Sequence, residues 1–180
     1  MSSNGNLALV DGTGLASNYS LNSTVINIAK RVLNSSGSKT YDANTDALAG
    51  AITLSNLVSG EALNHSGTAS ISSANAGSYT ITNLAGITIA DGSGGAASNY
   101  TLTGGTHNFT VNQRPLNATL ARQYDGTTNA AGSDLSSFDA LQGGETLTLS
   151  GSGTAADDNV ANGISVSSLG TLALVNGTGL

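Results

Sequence analysis

Lys39-Thr40-Tyr41-Asp42-Ala43 returns 83 residues on as Arg122-Gln123-Tyr124-Asp125-Gly126. Each copy places a cation two residues before a Tyr-Asp pair and follows an apolar, alternating stretch. A repeat of this kind is read before any single element, because a period decides which segments are equivalent. Tyr41 and Asp42, with Tyr124 and Asp125, therefore serve as register marks for the whole chain.

Working outward, Val25-Ile26-Asn27-Ile28 opens one unit and Phe109-Thr110-Val111 opens the next; Arg31 then aligns with Arg114 and Leu33 with Leu116. After each Tyr-Asp come a polar loop, an apolar stretch and a Gly-Glu turn, Gly60-Glu61 and Gly144-Glu145. Ser66-Gly67-Thr68-Ala69 matches Ser152-Gly153-Thr154-Ala155, and Tyr79-Thr80-Ile81 matches Ile164-Ser165-Val166. A closing element begins three times, at Leu7, Ile87 and Leu172, each time running into an Asp/Asn-Gly turn. Two of the three continue into Ala-Ser-Asn-Tyr, ending at Tyr19 and Tyr100. The expected layout is an orphan tail over residues 1–24, a complete unit over 25–107 and a second unit over 108–180 that lacks its last strand.

Short β-rich segments, punctuated by Gly and Asn about every 8–12 residues, predict an all-β fold. No window long enough for a substantial helix keeps a 3.6-residue period. The expected architecture is tandem, small antiparallel β-sandwich modules of immunoglobulin-like type, with short β-grasp-like modules as the alternative. A turn such as that at Gly60-Glu61 has room for one helical turn. The 180 residues carry a net charge of −6, with 9% charged residues and no cysteine. Acidity argues against nucleic acid, which needs clustered Lys and Arg. No apolar run approaches the roughly 18 residues of a membrane span. Without cysteine there are no disulfides or thiolate metal sites. Ser2-Ser3-Asn4-Gly5 after Met1 has neither the basic nor the apolar part of an export signal, so such a signal is expected outside this stretch.

Several residues invite a chemical reading. Asp42, Asn44 and Asp46 have the alternating oxygens of a calcium loop, but Ala47 and Thr53 stand where glycine and an acidic ligand are needed. Asp157 and Asp158 form a second oxygen cluster. Calcium is a weak cofactor candidate on both counts, and no other cofactor is expected. The plainer reading of Tyr-Asp is a tyrosine packed on the sheet end and an aspartate accepting backbone N–H groups of the next turn. Gly126 suits a positive φ there, whereas Ala43 predicts a different turn in the first copy. All five cations, Lys30, Arg31, Lys39, Arg114 and Arg122, fall in one region per unit. They read as edge guards or partners of nearby aspartates, ahead of a stripe for acidic glycans. Asp11-Gly12-Thr13-Gly14 and Asp91-Gly92-Ser93-Gly94 read as hairpin turns followed by a strand, not as phosphate loops. His65 and His107 lack convergent ligands and read as exposed. Eight N-x-S/T sites, including Asn64 and Asn117, slightly exceed chance for so Ser/Thr-rich a chain.

A basic residue ahead of Tyr124-Asp125-Gly126-Thr127-Thr128 is joined by Gly143-Gly144-Glu145, the run from Gly153 to Val160, and Ala97-Ser98-Asn99-Tyr100-Thr101-Leu102. Together these resemble the YDG and related MBG repeats of filamentous-haemagglutinin-like bacterial adhesins. The resemblance implies secretion, display at the bacterial cell surface and a repeat stalk, with no catalytic residues to carry over. The first unit departs from the pattern at Ala43 and at residues 70–74. The expected function is a spacer that projects an adhesive region. The alternative is a module that grips a host or matrix glycan or a neighbouring adhesin copy, and an enzyme is not expected. Expected partners are neighbouring repeats, with head-to-tail strand exchange in which residues 7–21 complete the second unit of another copy.

Overall fold

A computed structural model describes residues 7–177, and they are almost entirely β-strand and turn. The first module contains β1 (Arg31–Val32), β2 (Asn34–Thr40), β3 (Asp46–Leu48), β4 (Ile52–Ser55), β5 (Leu63–Ile71), β6 (Gly77–Asn83), β7 (Ile87–Asp91), β8 (Tyr100–Thr101) and β9 (His107–Asn112). Its main sheet runs β3-β5-β6-β9-β2-β4, and β7 pairs with the long β5 beyond its bend. The all-β expectation holds. The sheet is mixed, because β2 lies parallel to β9 from Ser35↔His107 to Thr40↔Asn112, and β1 lies parallel to β8.

β9 is the centre of this module. It pairs with β2 on one side and antiparallel with β6 on the other. Its residues alternate, His107, Phe109 and Val111 facing inward and Asn108 and Asn112 outward, the period-2 signature of a strand with one buried face. Phe109 and Val111 join Ala47, Ala69, Ile71 and Ile81 in the core. Burying a side chain the size of Phe109 contributes about 1.5–3 kcal/mol. Gly37 lies opposite Phe109 in the parallel register. A methyl group there would meet the ring at 2.8 Å and the Ala51 carbonyl at 2.3 Å, so the glycine is a seat for the phenylalanine.

Two sequence expectations are corrected by this arrangement. Phe109-Thr110-Val111 pairs within the sheet of the first module, with β2 and β6, instead of starting a strand of the second. No residue from 7 to 30 lies in a strand. His107 is buried, not exposed: Ser35 Oγ lies 2.9 Å from its Nδ1, and its Nε2 donates to Leu102 O at 2.8 Å.

The second module contains β10 (Ala118–Leu120), β11 (Asn129–Ala131), β12 (Leu135–Phe138), β13 (Leu147–Ser150), β14 (Ser152–Ala155), β15 (Val166–Ser168) and β16 (Ala173–Asn176). These strands make three separate sheets: β10-β12, β11-β14-β15 and β13-β16. Each pairing repeats one from the first module, namely β2-β4, β3-β5-β6 and β5-β7. Among the described residues, the second module has no counterpart of β8 or β9. Thr178-Gly179-Leu180, the end of the third closing copy, falls outside the described residues.

One-turn 3-10 helices occur at Ala16–Asn18, Ala49–Ala51, Ala97–Asn99 and Gly132–Asp134. Gly60-Glu61 is a plain turn in which Glu61 N donates to Val58 O. The Asp-Gly segments are not hairpin turns. The Asp91 carboxylate instead accepts from Ala97 N at 2.8 Å and starts a 3-10 turn, after which Tyr100 joins β1 and not β7. Asp11 does the same for Ala16 N at 2.6 Å. A short carboxylate beside an orphan backbone donor is the usual way to start such a turn.

Candidate functional site

The Tyr-Asp motif divides its two residues between two tasks. Asp42 belongs to a turn closed by its own cation. Lys39 Nζ lies 2.8 Å from Asp42 Oδ1 and donates to Asn44 O and Oδ1, both at 2.7 Å, and to Asp46 O at 2.9 Å. The oxygens of Asp42 and Asn44 that suggested calcium thus converge on an ammonium group, while Asp46 offers its carbonyl. Asn44 N donates to Asp42 Oδ1 and Asp46 N to Asn44 Oδ1, the side-chain-to-backbone bonds that fix such turns. Burial pushes the Asp42 carboxyl up. The Lys39 hydrogen bond and the Asn44 N–H outweigh it and hold the group below the usual carboxylate range.

The second copy is built alike. Arg122 bonds Asp125 and the Thr127 carbonyl, and Thr127 donates to Asp125 from both N and Oγ1. The Arg122 hydrogen bond, then those from Thr127, lower the Asp125 carboxyl. The expectation of two different turns is corrected, since φ is 61° at Ala43 and 74° at Gly126. Alanine in this left-handed region costs about 1–2 kcal/mol, and the bonds around Lys39 hold it there. Asp157 accepts from Asn159 N and Nδ2 at 2.9 and 2.7 Å, so it too closes a local turn. Among the described residues, no group of three or more His, Asp or Glu is placed to hold a metal ion.

Tyr41 reaches the other way, into the second module. Its hydroxyl donates to Glu145. Arg114 ties the same corner, with Nε donating to Ala140 O at 2.8 Å and Nη1 to Tyr41 O at 3.5 Å, while Tyr41 N donates to Asn112 O. The Glu145 hydrogen bond, helped by burial, raises the Tyr41 hydroxyl above its ordinary value. Next to this contact lies a cavity of about 330 Å³ whose lining includes Arg114, Leu116, Leu141, Glu145, Leu147 and Leu174.

In the first module, the equivalent position is filled. Tyr100, only 2% exposed, stands opposite Arg31 in the β1-β8 pair. Its hydroxyl donates to Glu61 and accepts from Val58 N at 3.1 Å. The Glu61 bond raises this hydroxyl too, partly offset by the Val58 N–H. Arg31 clasps Asn56 through Nε to O and Nη2 to Oδ1, as Arg114 clasps Ala140; both acceptor residues have positive φ, 66° and 58°. The two Gly-Glu turns therefore present the same carboxylate to two kinds of tyrosine: Glu61 to the closing tyrosine of its own module, Glu145 to the Tyr-Asp tyrosine of the module before.

Tyr41 and Tyr100 are thus both engaged through their hydroxyls. Tyr19 and Tyr124, at 72% and 65% exposed, are not brought into either site. Four of the five cations bind turn or loop oxygens of this chain. Two acceptor sites are engaged as well: Asn64 Nδ2 donates to Asp91 O, and Asn117 Nδ2 to Asp139. Sequence reading passed over Glu61 and Glu145 as turn residues. Their recurrence as the only glutamates of the chain was the available signal.

Neither a curated protein nor a solved structure matches the chain. A family model described as YDG domain matches it twice, over residues 29–107 and 110–179.

Proposed function

The chain belongs to the YDG domain family, as two tandem copies, and on that premise we propose that it is a spacer region of a secreted, surface-displayed bacterial adhesin. The adhesin is of the filamentous-haemagglutinin-like kind, and its repeats hold an adhesive region away from the cell. The observation that carries this reading is the junction: Tyr41 to Glu145, with Arg114 tied to both modules. The motif that defines the repeat is spent on fixing one module against the next, as a stiff array requires. In such an array, stability is approximately the sum of module and nearest-neighbour terms. The chain has no assigned catalytic role in this reading.

The rival is a module that binds a glycan. Sugar-binding clefts present exposed aromatic faces with a few convergent polar groups. Here the cavity is lined by four leucines among polar side chains, and its one aromatic residue, Tyr41, has its hydroxyl engaged by Glu145. Small-angle scattering tests the spacer directly. The chain is expected to hold one intermodule geometry, and Tyr41→Ala to broaden it with both modules still folded. An array screen in which the chain captures a defined glycan with sub-millimolar affinity would overturn the spacer reading. Antibodies to these modules are expected to label intact cells.

A further inference from the structure

We propose that Asn162 is a self-modifying site: the Gly163 nitrogen displaces ammonia from its carboxamide, and water then leaves aspartate or isoaspartate there, loosening the second module. An asparagine cyclises when the next backbone nitrogen comes within bonding reach of its Cγ. A side chain on the next residue hinders this, and so do hydrogen bonds that fix the carboxamide or that N–H. At Asn162 both restraints are absent. The next residue is a glycine with φ 75°, and a methyl group built on it would meet nothing within 4 Å. Asn162 and Gly163 are exposed and lie in the loop between β14 and β15. Among the described residues, neither the Asn162 carboxamide nor the Gly163 N–H has a hydrogen-bond partner. The wide conformational range of glycine lets its nitrogen visit the geometry of attack.

Other asparagines show what holds the reaction back. Asn176-Gly177 repeats the pair, but Asn176 stands opposite Leu147 in the β13-β16 ladder, and a methyl group on Gly177 would meet Thr146 O at 2.1 Å. Asn159, in the same loop as Asn162, donates from N and Nδ2 to Asp157 and is followed by a valine. The Asn44 carboxamide is held by Lys39 and by Asp46 N. The corresponding turn of the first module reads Asn75-Ala76-Gly77, so an alanine separates asparagine from glycine. There Tyr79 Oη also donates to Asn75 O at 2.8 Å. Asn4-Gly5 lies outside the described residues. Among those described, the unrestrained pair belongs to the second module.

Water is the co-reactant. Base in the solvent takes the Gly163 N–H proton, the bond from that nitrogen to Cγ forms, and the carboxamide C–N bond breaks as ammonia leaves with a proton from water. Water then opens the cyclic imide. Breaking the ring bond from nitrogen to Cγ gives aspartate. Breaking its bond to the Asn162 carbonyl carbon gives isoaspartate, whose main chain runs through Cγ. Either product adds a carboxylate to a loop that already carries Asp157 and Asp158. Isoaspartate also lengthens the main chain between Ala156 and Ser165, whose N–H···O bond of 2.9 Å closes the loop. β15 is three residues long, so a short ladder takes up the change.

Peptide mapping by mass spectrometry tests this on the full chain held in mildly alkaline buffer. The folded chain is expected to gain about 1 Da at Asn162, as a mixture of aspartate and isoaspartate peptides. The rate there is expected to exceed that at Asn176 by at least about tenfold, because cyclisation at Asn176 waits on local opening of its ladder. In denaturant the two Asn-Gly pairs are expected to react at similar rates. The melt of the second module is expected to drift lower as the product accumulates, while the first module does not move. Asn162→Gln, whose longer side chain sets the carbonyl carbon beyond easy ring closure, is expected to stop both the mass gain and the drift. A folded chain that keeps the Asn162 amide while the denatured chain loses it overturns the inference. So does a folded chain in which Asn162 and Asn176 react alike, or a converted chain whose second module melts as before.

Discussion

The two modules share a motif order and differ, among the described residues, in the strands that close the first. In the first, β9 joins β3-β5-β6 and β2-β4 into one sheet and carries Phe109 and Val111 among eleven buried apolar residues that also include Leu33 and Tyr100. In the second, Ala130 is the only buried apolar residue among those described, and the pairings survive as three fragments. Leu33 is fully buried while its equivalent Leu116 is half-buried. The local rules of turn, cation and Gly-Glu corner are obeyed equally in both. The difference teaches that the turns set register locally and that cohesion comes from the last strand to enter.

The strongest way to break the comparison is to make the first module resemble the second. Phe109→Ala is expected to cost about 3–5 kcal/mol and to remove the more stable of two transitions in denaturant, leaving the weaker one unchanged. Next in size is a matched pair. Leu33→Ala is expected to destabilise its module by about 2–5 kcal/mol, and Leu116→Ala by less than about 1 kcal/mol, because the half-buried site has little packing to lose.

The junction gives a smaller effect, read by pH. The Tyr41 hydroxyl is held above its ordinary value of about 10. Its contribution is therefore complete below that value and is lost as pH rises through the raised one. Asp42 behaves oppositely: its contribution is complete above the ordinary carboxylate value of about 4 and is lost as pH falls through its lowered one. Thermal melts across pH are expected to show an alkaline loss of coupling between the modules, absent in Tyr41→Phe, and an acid loss in the first module, absent in Asp42→Ala. The smallest effect sharpens the likeness of the modules. Ala43→Gly gives the first turn the residue its partner has, and is expected to add about 0.5–1 kcal/mol in a denaturant titration.

Much of this was legible in the sequence. The period, the pairing of Val25-Ile26-Asn27-Ile28 with Phe109-Thr110-Val111 and the all-β class all follow from spacing and alternation. What escaped has physical reasons. β2, central in the sheet, reads Asn34-Ser35-Ser36-Gly37-Ser38-Lys39-Thr40 and carries no apolar side chain, because its inward face is covered by residues of β9. A pattern search for apolar alternation cannot find a strand whose core is supplied by its neighbour. His107 looked exposed because its partner Ser35 lies 72 residues away. Phe109-Thr110-Val111 read as an opening strand because a repeating sequence fixes the period and not the phase. Val25-Ile26-Asn27-Ile28, an alternating apolar stretch, has no strand partner among the described residues, since tertiary pairing decides whether a propensity is used. The Glu61 and Glu145 corners went unread because their tyrosines come from opposite directions along the chain.

The parallel pairing of β2 and β9 also sets how a module answers tension. The chain enters at one end of this six-residue ladder and leaves at the other. A pull on the two ends therefore slides the strands past one another in shear, and all the hydrogen bonds between them share the load. An antiparallel terminal pair would instead be peeled open one bond at a time. The strand that closes the core is thus also the tensile clamp of the module.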